Sequence, residues 1–248
     1  MTSHFLKLND DKTELIIFKS RFDPRTHTSC ELTIGNELIS PTSAIRNLGL
    51  YMDTTLTMDS QINNMSKNII FQLRQISQLR KYLDEISTER LVHAVISSRL
   101  DYGNSLLFGL PSSSIQRLQR LQNTAARIVT KSPRSVHITP ILKSLHWLPV
   151  QYRIQYKLLC LTFRAVKSGQ PVYLSHILRQ RSQTRPSRSQ YQHLLEVPLS
   201  RTSTYGDRAL SRSGPTLWNC LPVDLRSLQS LDTFKKHLKT HLFLSYFN

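Results

Sequence analysis

An acid-free stretch, residues 102–195, is the feature that most restricts how this chain can fold. Over these 94 residues there are 14 Lys and Arg and no Asp or Glu. Like charges repel and destabilise a compact state, so these cations must lie mainly on the surface. Residues 1–110 hold 12 basic and 12 acidic residues, whereas residues 111–248 hold 21 basic and 4 acidic residues. The C-terminal part therefore carries the whole net charge of +17.

This asymmetry predicts a polyanionic partner that offsets the repulsion. Nucleic acid is the commonest such partner, because Lys and Arg neutralise phosphates and release counterions. The charge leaves two alternatives open: an anionic membrane surface, and a basic chain without a defined ligand. No apolar run approaches the roughly 18 residues of a membrane span, so we expect no insertion into a membrane.

Composition limits the remaining classes. The length of 248 residues allows one large domain or two small ones. The three Cys residues are widely spaced without a CxxC pair, so we expect neither a zinc module nor a disulfide framework, and no cofactor. The N-terminal residues lack a signal-peptide pattern, which predicts a nuclear or cytoplasmic protein that is not secreted.

The N-terminal part has β composition. Residues 13–18 and 45–52 each have the composition of a strand. Between them, two short apolar runs flank Gly35 and Asn36, which is the pattern of a hairpin. Asp10 and Asp11 have turn chemistry and lack the setting of a catalytic pair.

From residue 58 the apolar residues recur at helical intervals, so the fold class is mainly α with a small α+β N-terminal remnant. Ser87 is the predicted cap at the start of the second helix, and Gly169 the residue that ends the fifth. Helices are predicted over residues 58–83, 87–108, 113–130, 139–145, 150–167 and 232–246.

Two helices carry basic stripes opposite their apolar faces, a geometry that leaves the cations available to phosphates. A segment rich in Ser, Gln and Arg, residues 179–204, is a predicted basic flexible linker that adds further cations. The predicted nucleic-acid-binding residues are Arg117, Arg120, Arg127, Lys131, Arg153, Lys157, Arg164, Lys167, Arg179, Arg181, Arg185 and Arg188.

Aromatic and histidine residues in the same region have two interpretations each. Residues such as Tyr102 and Tyr156 interleave with the cations and could stack bases, as could Phe108, Tyr152 and Trp147. For Trp147 and Trp218 we expect packing in the core. His237 and His241 share a helical face, but further ligands are missing nearby, so we expect a solvated face and no metal site.

Six segments together resemble one family, the non-LTR (LINE-type, jockey-like branch) retrotransposon reverse transcriptases. The first two, residues 5–14 and 45–50, are similar to the segment after the catalytic strand and to the primer-grip turn. The others resemble the region C-terminal to the polymerase, and they are residues 98–102, 145–150, 214–219 and 232–243.

The resemblance implies a division into four parts. Residues 1–53 are then the end of the palm, and residues 54–178 a helical thumb-like bundle. The linker, 179–204, is followed by a short C-terminal module, residues 205–248. In the family, the carboxylates that hold the two metal ions lie in an earlier palm strand and in an aromatic-X-Asp-Asp turn. Neither this strand nor this turn has a counterpart in this sequence. We therefore expect no enzymatic activity.

The resemblance also implies roles for a few N-terminal residues. Lys12 matches the lysine after the catalytic strand, a general-acid position that is vestigial without a metal site. Asn47, Leu48 and Gly49 match the primer-grip turn; an ordinary turn is the alternative. The implied function is non-catalytic, sequence-nonspecific binding of RNA or DNA, gripping a template–primer duplex in the parent polyprotein. The alternative is a helical protein-interaction module, or an inert gene remnant without selected function.

Overall fold

A computed structural model describes residues 9, 12–20, 31–34, 37–181 and 193–247. The chain forms two compact units, residues 1–64 and 65–248, whose boundary falls within a helix. In the described residues it is mainly helical, with two small antiparallel strand pairs near the N-terminus, which confirms the predicted fold class.

The first unit contains the two strand pairs. The strands are β1 (Leu32–Ile34), β2 (Glu37–Ile39), β3 (Ala44–Asn47) and β4 (Leu50–Asp53). In the first pair, Leu32 lies opposite Ile39, which confirms the hairpin, although residues 35 and 36 lie outside the described residues. The single strand predicted over 45–52 is wrong, because Leu48 (φ 48°) and Gly49 (φ 81°) reverse the chain. Positive φ at both central residues suits a two-residue hairpin turn.

The strand predicted over residues 13–18 is also wrong. Among the described residues, its backbone meets the rest of the unit at separate points, including an isolated bridge between Leu15 and Pro41. Leu15 O accepts from Thr42 N at 2.8 Å, and Lys19 N donates to Thr54 O at 2.9 Å. Proline has no N–H with which to continue a ladder, so β composition alone does not produce a strand here.

The helices follow the apolar periodicity closely. They are α1 (Asp59–Leu79), α2 (Glu85–Val92), α3 (Ser98–Asp101), α4 (Ser112–Thr130), α5 (Ile138–Ser144), α6 (Val150–Ser168), α7 (Val172–Ile177), α8 (Leu210–Asn219), α9 (Val223–Ser227) and α10 (Leu231–Phe247). A π-helical turn, His93–Ser97, joins α2 to α3. The second predicted helix thus ends at Asp101, because Gly103 takes a left-handed conformation (φ 63°) before a 3₁₀ turn at Asn104–Leu107.

Helix ends are set by individual residues. The predicted Ser87 cap of α2 is wrong: Asp84 caps this helix, and its carboxylate accepts from Ser87 N at 2.8 Å. Gly169 ends α6 with φ 65°, as predicted. Near the C-terminus of α4, the buried Arg80 side chain donates to Ile128 O at 2.9 Å and to Val129 O at 2.8 Å.

The core of the second unit forms where α6, α8 and α10 pack together. Phe163 of α6 stacks on Phe234 of α10 with ring centroids 4.2 Å apart, and Trp218 of α8 lies 6.0 Å from Phe234. Trp218 is fully buried, and Trp147 is 3% exposed, so both predictions of core packing are confirmed. The C-terminal helix therefore shares one core with the predicted thumb-like bundle.

The predicted linker is held to this core at both described ends. Leu195 is buried, and its backbone exchanges two hydrogen bonds of 2.9 Å with the Asn219 side chain. Arg181 N donates to Leu194 O at 3.0 Å, and Glu196 N donates to Arg179 O at 2.9 Å. An apolar side chain and paired backbone groups thus fix these ends, where composition predicted flexibility; residues 182–192 lie outside the described residues.

Candidate nucleic-acid interface

The basic stripe of α4 divides into two kinds of residue. Arg117 and Arg120 are exposed on the face opposite the buried Leu118, Ala125 and Val129. Arg127 instead closes the loop after the helix: its Nη1 donates to Pro133 O at 3.0 Å and to Val136 O at 2.9 Å.

Lys131 follows the end of α4 as its cap residue. It has a left-handed backbone (φ 53°) and is exposed. In this stripe, Arg117, Arg120 and Lys131 are exposed to solvent. The Arg127 side chain is used in part to hold the loop after α4.

The stripe of α6 is also divided. Lys157 and Arg164 are exposed, as the predicted stripe requires. Lys167 is half-buried, and burial lowers the pKa of its ammonium group. Arg153 is not available to a phosphate, because it forms a bidentate pair with Asp101: Nε donates to Oδ1 at 2.9 Å and Nη2 pairs with Oδ2.

A third set of cations lies on α10. Lys236 and Lys239 are exposed, and Lys235 pairs with Asp232 at 3.2 Å. Lys239 lines the same cavity as Lys157 of α6, because α10 packs along α6. Sequence reasoning missed Lys239, since it placed this helix in a separate module; the basic composition of residues 235–239 was the available signal.

The cavity lies wholly within the second unit and has a volume of about 590 Å³. Its walls come from the α2–α3 helix and its 3₁₀ extension, from α6 and α10, and from the segment between α5 and α6. The lining residues are Glu89, His93, Asp101, Asn104, Leu145, His146, Trp147, Leu148, Arg153, Tyr156, Lys157 and Lys239.

Polar contacts fix one wall of this cavity. Trp147 Nε1 donates to Glu89 Oε1 at 3.1 Å, and the same oxygen lies 3.4 Å from His93 Nε2. The His93 ring lies 5.2 Å from the Trp147 ring, and its Nδ1 lies 3.2 Å from Ser97 Oγ. His93 begins the π-helical turn, a feature that recurs at functional sites.

The wall formed by α6 carries a tyrosine, Tyr156, that is held in its neutral form. Burial, reinforced by the neighbouring Cys160 thiol, raises the pKa of Tyr156 to about 12. Burial also raises the pKa of Cys160, so both groups keep their protons near neutral pH. This wall therefore adds no negative charge to the cavity.

The aromatic residues predicted to stack bases have different positions. Tyr102 is exposed, Phe108 is half-buried, and Tyr152 and Tyr156 pack in part against the core. Trp147 is buried and its N–H is used by Glu89. Of the five, Tyr102 presents the most open ring.

The remaining predicted cations lie in or near the linker. Arg179 and Arg181 are exposed beside the bridge between Gln180 and Leu195. Arg185 and Arg188 lie outside the described residues, so the structure does not bear on them.

The predicted N-terminal site residues belong to the first unit. Asn47, Leu48 and Gly49 form the exposed tip of the β3–β4 hairpin, and Arg46 lies over the Tyr51 ring at 5.7 Å. Lys12 is exposed, with its N–H donating to Asn9 O at 3.2 Å. Asp10 and Asp11 lie outside the described residues.

Two wider features of the described residues bear on the chemistry. Within the described ranges, no group of three His, Cys, Asp or Glu side chains is arranged to hold a metal ion. None of the helices in that part of the chain has the length and apolarity to cross a membrane.

Comparisons with known proteins give no match. No protein-family model matches the chain, and neither curated proteins nor solved structures yield one.

Proposed function

We propose that this chain is a non-catalytic nucleic-acid-binding segment of a retrotransposon reverse transcriptase. The observation that carries the proposal is the set of exposed cations on three packed helices of an acid-poor unit. These cations are Arg117, Arg120, Lys131, Lys157, Arg164, Lys236 and Lys239. Each helix turns its apolar face inward, so the ammonium and guanidinium groups meet solvent.

Contacts of this kind bind phosphates and do not read bases. Binding should therefore depend strongly on salt and weakly on sequence. The sequence segments similar to the non-LTR reverse transcriptases support a template–primer duplex as the ligand in the parent polyprotein. Lys12 and the Asn47–Leu48–Gly49 turn would belong to the end of the palm in that arrangement.

A second candidate function is a helical protein-interaction module. Exposed apolar side chains favour it: Ile70 and Phe71 lie on the surface of α1, and Tyr82 and Ile86 lie around the start of α2. Exposed apolar groups of this kind mark protein contacts when they form a patch. An inert gene remnant would bind neither kind of partner.

The two candidates differ in their response to salt. Fluorescence anisotropy would follow the binding of the full chain to labelled duplexes of unrelated sequence, from about 50 to about 200 mM salt. With about 6–8 phosphate contacts, log K should fall against log salt with a slope of about −5 to −7, at about 0.9 per contact on a duplex. The proposal would be overturned if the chain did not bind the duplexes, or bound them with an affinity that does not depend on salt. The protein-interaction module would then be the favoured function.

A further inference from the structure

The exposed face of α1 combines an aromatic ring with cations. Phe71 is 58% exposed, whereas Ile69 and Leu73 on the opposite side of the helix are buried. The core of the second unit therefore does not use the Phe71 ring. Lys67 and Arg74 are exposed as well.

Helical spacing brings these three exposed residues together. Lys67 precedes Phe71 by four positions and Arg74 follows it by three, and side chains three or four positions apart are neighbours on a helix. The two cations are two turns apart, which is a rise of about 10 Å. The ring therefore has a positive group on each side along the helix axis.

A second ring and cation follow directly after the helix. Tyr82 is 75% exposed, and the Lys81 ammonium lies 4.7 Å from the centre of its ring. Tyr82 N donates to Leu79 O at 2.9 Å, which closes a turn at the end of α1. The combination of an accessible ring and a cation is thus repeated within one helix–turn segment.

The charge of this segment has one sign. Residues 60–83 contain no Asp or Glu, and they hold four cations, Lys67, Arg74, Arg80 and Lys81. Arg80 is buried and donates to carbonyls of α4, whereas the other three are exposed. A partner that complements this surface must therefore carry negative charge as well as apolar groups.

Arg80 also connects the segment to the nucleic-acid interface proposed above. Its Nη2 donates to Val129 O at 2.8 Å. Lys131, an exposed cation of that interface, follows two positions later. The turn after α1 therefore lies beside the C-terminal end of the basic stripe of α4.

Two classes of partner combine negative charge with apolar surface: a single-stranded nucleic acid and an acidic protein segment. Phosphates alternate with unstacked bases in a single strand, which matches the alternation of cations and rings here. The cores of protein interfaces are instead depleted in lysine. Inside a duplex, both faces of each base are stacked on neighbouring bases, so none is open to Phe71.

We infer that this face of α1 binds single-stranded nucleic acid by stacking. One base stacks on Phe71, with the adjoining phosphates at Lys67 and Arg74, and a second base stacks on Tyr82. This inference rests on the proposed nucleic-acid binding and adds a single-strand surface to the cations that bind a duplex.

Two neighbouring substitutions on α1 test the role of the ring in the full chain. Phe71→Ala should weaken the binding of a labelled single-stranded RNA of about eight nucleotides by about tenfold. Ile70→Ala removes a 40% exposed side chain without a ring, and should change this affinity by less than about twofold. Equal losses from the two variants, or no loss from Phe71→Ala, would overturn the inference.

A ligand series with the unaltered chain tests stacking without any substitution. The same RNA with abasic positions keeps its phosphates but lacks the bases, and should bind about tenfold more weakly than the intact strand. Phe71→Ala should change the affinity for the abasic strand and for a duplex by less than about twofold. Equal affinity of the unaltered chain for intact and abasic strands would contradict stacking.

Phe71→Trp gives an optical readout of the same contact. Trp147 and Trp218 are buried, so the added indole is the one exposed to a bound base. The variant should keep the affinity of the unaltered chain, and a single strand should quench its added emission, whereas a duplex should not. Quenching by an oligoglutamate peptide but not by the RNA would overturn the inference in favour of an acidic protein partner.

Failure of this inference is distinguishable from failure of the proposed function. Salt-dependent binding of duplexes, together with equal binding of intact and abasic strands, would contradict only the stacking surface. Absence of binding to every nucleic acid would contradict both proposals.

Discussion

Arg153 of α6 and Asp101 of α3 form a bidentate ion pair across 52 positions of sequence. Asp101 is the last acidic residue before the acid-free stretch begins. The arginine side chain is 17% exposed, whereas the neighbouring stripe residue Lys157 lies on the surface. The pair therefore joins the α2–α3 helix to α6 and removes one cation from the surface open to phosphates.

The first prediction separates the structural cation from the surface one. Arg153→Gln should lower the free energy of unfolding by about 1–2 kcal/mol, because it leaves a partly buried carboxylate without its partner. Lys157→Gln, one turn later on α6, should change stability by less than about 0.5 kcal/mol. Chemical denaturation followed by circular dichroism measures both. Equal stabilities of the two variants would show that the ion pair contributes nothing.

The second prediction concerns the buried Arg80. Its guanidinium donates to Ile128 O and Val129 O near the end of α4, and to Leu83 O in the turn between α1 and α2. Arg80→Met keeps much of the side-chain volume but leaves those carbonyls without a hydrogen-bond donor. It should lower the free energy of unfolding by about 3 kcal/mol. Arg74→Met, on the exposed face of α1, is the matched control and should be nearly neutral. If Arg80→Met lowered the free energy of unfolding only slightly, water would be donating to these carbonyls in place of the guanidinium.

The helices could be predicted because their apolar residues keep one period over several turns. Ile62, Ile69 and Ile76 recur along α1 and are all buried. The strand at 13–18 failed because strand composition says nothing about the partner, and here the partner is Pro41. Local rules therefore sufficed for the helices with several turns of apolar periodicity and for the β1–β2 hairpin, but not for the short helices α7, α8 and α9 or for pairing between distant segments.

The candidate site was predicted only in part, for a related reason. Helical periodicity placed Arg120 and Lys157 on solvent-facing stripes, and both are exposed. It could not show that Arg153 meets Asp101, because a contact across 52 positions depends on tertiary packing. The cavity depends on α10 packing along α6, and the local sequence does not show that long-range contact.

A third prediction concerns the acid sensitivity of the first unit. Partial burial raises the pKa of Asp53, but hydrogen bonds from Thr57, Thr55 and Met58 outweigh it, so the pKa lies below its ordinary value of 3.8. A depressed pKa gives stability that is present above the unfolded value and is lost as pH falls through the folded value. The start of α1 should therefore loosen only under strongly acidic conditions.

An NMR titration of the Asp53 carboxyl carbon measures this directly. Its midpoint should lie below 3.8. Thr57→Ala should move the midpoint upward, because it removes a hydroxyl that donates to Oδ2 at 3.1 Å. Thr54→Ala, a neighbour whose hydroxyl is not a donor to Asp53 among the described contacts, is the control. A midpoint at or above 3.8 in the unaltered chain would show that these hydrogen bonds do not outweigh the burial of the carboxylate.

The fourth prediction concerns local stability in each unit. The strand pairs of the first unit are only three or four residues long, and Leu32 and Leu38 are exposed. Two-stranded pairs of this length are marginal in water. Amide exchange should therefore be at least about tenfold faster over β1 and β2 than over α4 and α6, whose apolar faces are buried. Hydrogen–deuterium exchange with mass spectrometry measures these exchange rates. Slower exchange over the strands than over the helices would contradict the prediction.

The last prediction asks which cations bind phosphate, and it uses two triple variants of equal charge. Replacing the exposed Arg120, Lys157 and Arg164 with Gln should reduce the magnitude of the salt slope by about 2–3, at roughly 0.7–0.9 per lost contact. Replacing Arg80, Arg127 and Arg153 removes the same charge, but these side chains bond to the protein itself. The second set should therefore lower thermal stability and change the slope by less than about 1. Duplex binding over a salt series and thermal melting of each variant give the two readouts. Equal changes in slope would mean that net charge alone governs binding, because a diffuse attraction does not depend on which cations are exposed.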